Sequence, residues 1–242
     1  ARRRGEPVIN KKTKKPRKVR TQPRLVGPAR VNRSVTELLR RVMRRASSLW
    51  RQNVQPIQWK EHILKEPAER VRELTADEET RLFAALPEIY HVVIKVVLRT
   101  GLRLSEIALL RTHQIDWGNR CLVFKGKGDQ PLTVPMSNEV RDLLWSIKGQ
   151  HKTAVFLNSE GNPLRVMTLS SAVRRALARA KIVDFRFHDT RHTAATRLLR
   201  SSGNLKMAQR LLNHKDISTT TKYAHVLDAD LRRELEVLEV KT

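Results

Sequence analysis

A single strand–turn–strand pattern most constrains the fold of this 242-residue chain. Residues 120–136 read RCLVFKGKGDQPLTVPM, in which two short apolar runs flank Gly126-Lys127-Gly128-Asp129. Glycine-rich tips of this kind suit the tight turn of a β-hairpin, and the pattern places Lys127 at the tip. A further short apolar run at 155–157 indicates one more strand. Any sheet in this chain is therefore predicted to be small.

The other patterned stretches are helical. Thr75-Ala-Asp-Glu78 is a capping box that begins one helix, and Pro87 ends it. The next helix, at 89–98, is largely apolar and is predicted to be central, with Gly101 in the left-handed position that ends it. The chain is therefore predicted to be mainly α with a small antiparallel β-sheet, an α+β fold. Further helices are predicted at about 137–147, 168–180, 189–200 and 228–240.

Basic residues are concentrated at the front of the chain. The formal net charge is +25, far more than solubility requires. Such a charge indicates a polyanionic partner, usually nucleic acid and less often an anionic membrane. Lys and Arg outnumber Asp and Glu by 22 to 5 in residues 1–72 and by 27 to 19 in the remainder. The first third of the chain is thus the electrostatic arm.

The same front region shows only one clear helix. Residues 1–30 are basic and rich in proline, which favours a flexible segment that contacts phosphates without sequence preference. Ser34-Val-Thr-Glu37 is a capping box, and apolar residues at helical spacing continue to about Gln52. One apolar stripe cannot fold alone, so this small domain is incomplete or docks on the next one. We predict a flexible segment at 1–30, a partial helical domain with its linker at 31–66, and a main domain at 67–242.

The stretch Phe187–His225 gathers side chains that suit a phosphate. His188 and Arg191 lie one helical turn apart near a predicted helix start, where free N–H groups and the helix dipole attract anions. Arg offers phosphate oxygens a planar pair of donors, and His moves protons near neutral pH. His214 follows, and then Tyr223 in a further helix that Ser218 or Thr219 is predicted to cap. Each residue alone has a common structural role, but together they indicate phosphate chemistry.

Metal catalysis would need grouped carboxylates or a zinc site, and the sequence offers neither. Asp189 and Asp216 stand singly among basic residues. His188, His192 and His214 could supply nitrogen ligands, but their spacing matches no standard zinc site. We therefore predict a reaction without metal or other cofactor. Arg and Lys would neutralise the phosphate charge, and a side chain would be the nucleophile.

The cellular setting is predicted from three features. Cys121 is the sole cysteine and lies in an apolar run, which favours a buried thiol in a reducing, intracellular protein. No apolar stretch approaches the about 20 residues that span a membrane. Arg2-Arg-Arg4 is not followed by an apolar segment, so it does not indicate a secretory signal. The chain begins with Ala, from which we expect a fragment or a processed form.

The order of four motifs carries a family resemblance. TGLRLSE, the GKG hairpin, HDTRHT and LLNHKDISTTTKYAH follow one another in the chain. This order resembles the tyrosine recombinase (phage integrase) family over residues 74–226. Residues 28–60 resemble, more faintly, the end of that family's helical core-binding domain. The resemblance implies the family's catalytic-domain fold, preceded here by an incomplete helical domain.

The resemblance also implies how a scissile phosphate would be held. Arg103 and Arg191 would bind its non-bridging oxygens, and His214 would donate a hydrogen bond to the phosphoryl group. Lys127 would protonate the leaving 5′ oxygen from the tip of its hairpin. Glu106 would be a buried partner that positions the Arg103 region.

Tyr223 would be the nucleophile, by the same resemblance. Its phenol would attack phosphorus to form a 3′-phosphotyrosyl link, with His188 in acid–base transfer to that phenol. The link conserves the energy of the phosphodiester, so a second 5′-hydroxyl reseals the strand without ATP or metal. The implied activity is site-specific DNA recombination or integration, such as a mobile element uses.

Three departures from the family pattern stand out. Asn213 replaces a usual Gly, which Asn tolerates because it adopts left-handed geometry. Thr190 replaces a usual Leu, which affects packing more than chemistry. Most of the core-binding domain is missing at the front, so weak DNA binding or poor cleavage is expected.

Two alternatives stay open at this point. A type IB topoisomerase would share the chemistry without bringing two sites together, and a non-catalytic DNA-binding remnant would fit the missing front domain. The recombinase interpretation predicts double-stranded DNA as partner and a homo-tetramer on paired sites, formed through the helix at 228–240. It also predicts a bacterial or phage-encoded protein in the cytoplasm, associated with the nucleoid.

Overall fold

The computed structural model describes residues 26–67, 71–125, 131–213, 216–217 and 220–224. The chain divides into two compact units, residues 1–68 and 69–242. Most of the predicted flexible segment at 1–30 lies outside the described residues, as does the predicted helix at 228–240. The assignment of the first unit to a core-binding domain stays a prediction.

The helix of the first unit begins earlier than the sequence pattern predicts. It consists of α1 (Pro28–Val31), a π-helical turn (Asn32–Thr36) and α2 (Glu37–Ser48) without a break. Pro28 occupies the first helical position, where its fixed φ and missing N–H favour a helix start. The predicted capping box at Ser34 is therefore wrong, because Ser34 lies inside the helix and its hydroxyl donates to the carbonyl of Arg30 at 2.6 Å.

Within the described residues, the apolar stripe of α2 stays exposed, and polar side chains make the hydrogen bonds between this helix and the returning chain. No residue of α2 is buried. Asn32 instead binds the returning chain, since its amide exchanges two hydrogen bonds of 2.9 Å with the backbone of Leu64 and donates another to Glu66. A 3₁₀-helical turn, Trp59–His62, precedes that contact. Part of the predicted linker is thus folded against the helix.

The second unit contains the central helices that the sequence predicts. The capping box at Thr75 is present and opens α3, and Pro87 follows its end. Gly101 has a φ of 63° at the end of α4, as expected of the left-handed position. Ser137 caps α6 by accepting from the N–H of Val140 at 3.3 Å. The helices are α3 (Ala76–Ala85), α4 (His91–Thr100), α5 (Leu104–Ala108), α6 (Asn138–Ser146), α7 (Val166–Arg179), α8 (Asp189–Ser202) and α9 (Leu205–Leu211).

The sheet is small and antiparallel, with the order β1-β2-β3. Its strands are β1 (Ile115–Asp116), β2 (Cys121–Lys125) and β3 (Pro131–Pro135), and Val123 lies opposite Thr133. The strand predicted at 155–157 is wrong, because the turn after it folds Leu157 back onto Pro163 as an isolated bridge. The predicted fold class, mainly α with a small antiparallel sheet, is confirmed.

The main core lies between the sheet and helices α3 to α7, and α4 is its centre. Residues Val93 to Leu98 of α4 are buried apart from Lys95. A smaller apolar cluster joins α8 and α9 to the segment around Tyr223. Cys121 is buried, as predicted, and burial raises the pKa of its thiol with a further contribution from Asp116. Among the described helices, none is long and apolar enough to cross a membrane.

Candidate active site

Arg191 is the most firmly held of the predicted site residues. It lies in the first turn of α8 and is 5% exposed. Its Nη1 donates a hydrogen bond to the carbonyl oxygen of Gly101 at 2.6 Å, and its Nη2 donates to the carbonyl oxygen of Leu212. Gly101 and Leu212 are the C-cap residues of α4 and α9. The guanidinium therefore lies at the negative ends of two helices.

Burial and a neighbouring cation act together on Arg191. Burial is the larger effect and the positive charge of Arg103 adds to it, so that the pKa of Arg191 falls to about 10, although Glu106 and Tyr223 act in the opposite direction. The guanidinium is still charged at neutral pH. Two guanidinium groups that repel each other favour a bound anion, and phosphate oxygens match their planar donors.

Arg103 is held in place by Glu106. It is the N-cap residue of α5, and its side chain is 45% exposed. Its Nη1 donates to Glu106 Oε1 at 2.8 Å, while its backbone N–H donates to Glu106 Oε2 at 2.7 Å. Glu106 thus positions Arg103, but it is not the buried residue that we predicted. Its side chain is 20% exposed, because it folds back along the first turn of α5 toward the N-cap.

The turn at Gly101 explains how the two arginines meet. Arg191 binds the carbonyl of Gly101, and Arg103 follows that glycine by two residues. The left-handed conformation of Gly101 ends α4 and redirects the chain into α5. The turn at Gly101 therefore supplies a carbonyl that accepts from the buried Arg191, and it also sets the backbone position of the exposed Arg103.

Tyr223 is buried against α8 and α9. It ends a 3₁₀-helical turn, Thr221–Tyr223, is 1% exposed, and packs in the smaller apolar cluster with Leu199 and Leu212. Its hydroxyl lies 2.6 Å from Nδ1 of His192. Its effect on the pKa of Arg191 places it in the same electrostatic neighbourhood. Ser218 and Thr219, the predicted caps of its helix, lie outside the described residues.

His188 lies at the start of α8 as its N-cap residue and is exposed. Its ring meets the ring of His192 edge to face, with 5.4 Å between centroids. The sequence predicts that His188 acts on the phenol of Tyr223, and that role stays a prediction. The structure shows the imidazole of His192 in contact with that phenol.

His192 was not predicted as a site residue, and its pattern was considered only for a zinc ligand. Two signals pointed to it. His192 follows Arg191 directly, and it lies four residues after His188, so the two histidines share a helical face. Its contact with Tyr223 spans 31 residues and depends on how α8 packs.

Two predicted site residues, Lys127 and His214, lie outside the described residues. In the sequence, Lys127 stands between β2 and β3, and His214 follows Asn213 directly. Asn213 has a φ of 45°, which confirms that it takes the left-handed conformation. Thr190 is buried, and its hydroxyl donates to the carbonyl of Phe187 at 2.7 Å, so it contributes to packing at the start of α8. Within the described ranges, no three His, Cys, Asp or Glu side chains are grouped to hold a metal ion.

Residues 72–230 match the family model described as the phage integrase family. A tyrosine recombinase XerC of Mycobacterium tuberculosis is 33% identical over 151 residues, which cover 58% of this chain and 51% of the relative. A tyrosine recombinase XerD of Lacticaseibacillus casei is 34% identical over 149 residues, which cover 57% of this chain and 51% of the relative. This chain spans about half the length of the curated relatives it matches.

Solved structures share the fold. The Tn1549 transposon integrase, solved in complex with circular intermediate DNA, superposes with a TM-score of 0.64 at 21% identity, covering 82% of this chain and 75% of that one. The XerA recombinase gives a TM-score of 0.56 at 24% identity, with coverage of 83% and 82%. The catalytic domain of bacteriophage HP1 integrase gives 0.53 at 22% identity and is covered over 95% of its length by 69% of this chain.

Proposed function

We propose that this chain, which belongs to the phage integrase family, cuts and rejoins DNA at specific sites through a covalent link to Tyr223. The observation that carries this proposal is the meeting of three groups. The phenol of Tyr223 lies 2.6 Å from Nδ1 of His192, Arg191 precedes His192 in α8, and the positive charge of Arg103 lowers the pKa of Arg191. A nucleophile and two cations are what cleavage of a phosphodiester without metal requires.

Arg103 and Arg191 hold the scissile phosphate in this proposal. Arg191 is fixed by two backbone carbonyls, so it offers its remaining donors without a loss of side-chain freedom. Arg103 is exposed and closes on the phosphate from the other side. His214 adds a hydrogen bond to the phosphoryl group, as the family resemblance implies.

The reaction then proceeds in two reversible steps. The Tyr223 oxygen attacks phosphorus, the bond from phosphorus to the 5′ oxygen breaks, and Lys127 protonates that oxygen. A phenol has a reference pKa of about 10, so cations and a base have to assist its attack. A 5′-hydroxyl of a second strand later attacks the phosphotyrosine and releases the phenol. His188 assists the proton transfers at the phenol.

The partner in this proposal is double-stranded DNA. The net charge of +25 and the DNA in the solved complex of the Tn1549 integrase support it. Site-specific recombination joins two DNA sites, so we propose a tetramer on paired sites that is held through residues 228–240. Such a protein works at the nucleoid, in the cytoplasm of a bacterium.

Covalent capture tests the proposal. We would select duplexes that the chain binds from random-sequence DNA, nick them next to the bound region so that the cut end diffuses away, and resolve protein–DNA adducts on a denaturing gel. The chain should give an adduct that Tyr223→Phe lacks. Tyr90→Phe, which changes the other tyrosine, is the matched control and should keep the adduct.

Two outcomes would contradict the proposal. Equal adduct from the chain and from Tyr223→Phe would remove Tyr223 as the nucleophile and favour a non-catalytic DNA-binding role. Relaxation of supercoiled DNA without strand exchange between paired sites would instead favour a topoisomerase.

A further inference from the structure

His192 contacts the reacting atom of the proposed nucleophile. Its Nδ1 lies 2.6 Å from the hydroxyl of Tyr223, within the distance over which a general base takes a proton. His192 is 4% exposed and the tyrosine 1%, so this contact is shielded from bulk water. A shielded hydrogen bond between an imidazole and a phenol is a stronger coupling than the same pair in water.

The placement of His192 in α8 ties this contact to the phosphate site. Arg191 and His192 are consecutive, and the carbonyls of Gly101 and Leu212 hold the Arg191 guanidinium. Thr193, the next residue, accepts a hydrogen bond of 2.9 Å from the N–H of Leu74 and donates one of the same length to the carbonyl of Asp189. This part of α8 is therefore rigid, and it fixes the phosphate binder and the phenol contact in one geometry.

One tautomer of the His192 imidazole suits the role of a base. When the phenol donates to Nδ1, that nitrogen presents its lone pair to the phenolic proton, and the ring's own proton is on Nε2. His188 meets this ring edge to face at 5.4 Å between centroids, so it packs against the imidazole of His192.

We propose that His192 is the general base that takes the phenolic proton when Tyr223 attacks the DNA phosphate. This inference rests on the proposed function. The O–H bond of the phenol breaks, its electron pair forms the bond from oxygen to phosphorus, and the proton moves to Nδ1 of His192. The bond from phosphorus to the 5′ oxygen breaks, with its proton supplied by Lys127. On rejoining, the imidazolium of His192 returns the proton to the departing phenolate.

Charged and titratable groups surround this contact on several elements. His188 and Arg191 belong to α8, and Lys222 lies over the Tyr223 ring at 5.4 Å. Arg103 and Glu106 of α5 act on the site through Arg191. The bound phosphate supplies the negative charge that offsets the imidazolium formed in the reaction.

The test is the rate of adduct formation on nicked DNA under single-turnover conditions, measured across pH. His192→Asn places an amide near the position of Nδ1, so it keeps a hydrogen bond to the phenol but does not take its proton. We expect the rate at neutral pH to fall by about 10²- to 10³-fold, the usual contribution of a general base. The rate of the unchanged chain should fall at low pH, because a protonated imidazole cannot accept the phenolic proton. The rate of His192→Asn should not show this fall.

A modified substrate separates the two proton transfers. With sulfur in place of the bridging 5′ oxygen, the leaving group departs without a proton. This substrate should relieve the defect of Lys127→Ala and leave the defect of His192→Asn unchanged. Relief of both defects to the same extent would overturn the assignment of His192 to the phenol side.

His188→Asn is the matched comparison, because it changes the neighbouring histidine of the same face. The assignment fails if the rate of His188→Asn no longer falls at low pH while the rate of His192→Asn still does. If His192→Asn does not fold, the double variant His188→Asn/His214→Asn decides instead. This variant keeps His192, so its rate should still fall at low pH. A rate that no longer falls at low pH in this variant would overturn the proposal. If the unchanged chain forms no more adduct than Tyr223→Phe, the proposed function itself is refuted. Adduct at an unchanged rate in His192→Asn refutes only the role of His192.

Discussion

At the scale of single residues, Arg191 serves the fold as well as the proposed chemistry. A buried guanidinium is costly unless its donors are satisfied, and here two carbonyls at helix ends satisfy part of them. Arg103 differs, since it is exposed and bonded to a carboxylate of its own helix. The two arginines should therefore respond differently to the same substitution.

Replacement of each arginine by lysine tests that difference. Arg191→Lys keeps a charge but not the planar pair of donors, so one of two buried carbonyls loses its partner, which typically costs about 1–3 kcal/mol. Arg103→Lys changes an exposed ion pair, for which about 0–1 kcal/mol is usual. The free energy of unfolding in urea, followed by circular dichroism, measures both. Equal losses would show that the carbonyl contacts of Arg191 do not stabilise the fold.

The sequence predicted some of these residues better than others. Arg103, Arg191 and Tyr223 were predicted from the order of the motifs, and their catalytic roles stay predictions, although Arg103 and Tyr223 both act on the pKa of Arg191. His192 was missed because its position beside Arg191 and on the face of His188 does not show which side chain it contacts, and its partner comes from packing across 31 residues. The exposure of Glu106 was also mispredicted, since the rotamer that reaches back to the N-cap is not encoded in its position alone.

At the scale of elements, α8 is fastened to the segment that opens the second unit. Arg200 donates to both carboxylate oxygens of Glu73 at 2.9 and 2.8 Å. Arg197 donates to Glu79 at 2.5 Å and to the carbonyl of Leu74 at 3.1 Å. The start of α3 therefore helps to hold the helix that carries the proposed phosphate site.

Glu78, in the first turn of α3, makes the stability of that helix start dependent on pH. Its side chain accepts hydrogen bonds from Arg72 and from the N–H of Thr75, and the bond from Arg72 is the largest cause that lowers the pKa of Glu78 below its ordinary 4.5. A carboxylate with a lowered pKa contributes stability above pH 4.5 that is lost as the pH falls through the lowered value.

Glu78→Gln should therefore destabilise the chain more at pH 7 than at pH 3. The urea midpoint of each form at the two pH values gives the comparison. Asp77→Asn is the control, because Asp77 is an exposed acid on the same turn, and its difference between the two pH values should be smaller. The prediction fails if both variants show the same dependence on pH.

Local signals account for which elements were predicted. The capping box at Thr75, the cap at Ser137 and the left-handed Gly101 act within four residues, and all three are present. The start at Pro28 and the strand Ile115–Asp116 were missed. A two-residue strand has too few residues for a pattern, and only its pairing with β2 defines it.

At the scale of the whole molecule, the uneven charge predicts how DNA binding depends on salt. Residues 1–20 contain ten Lys and Arg. Each cation that meets a DNA phosphate contributes about 0.9 to the slope of log affinity against log salt concentration. Deletion of residues 1–20 should therefore flatten that slope by several units.

Fluorescence anisotropy with a labelled duplex at a series of salt concentrations measures the slope. Replacement of the same ten cations by Gln is the control for chain length and should have the same effect as the deletion. An unchanged slope in both variants would show that these cations stay in solvent when DNA binds.

Because Arg191 serves both the fold and the proposed phosphate binding, Arg191 and Arg103 should change at different rates in descendants that lose activity. Under the proposed function, a descendant that had lost recombination would still need Arg191 to bind the ends of α4 and α9, so selection for folding would retain it. Arg103 has no comparable duty in the core and would be free to drift. The exposed arginine is therefore the more sensitive marker of a working enzyme, and in a lineage of inactive copies it should disappear first.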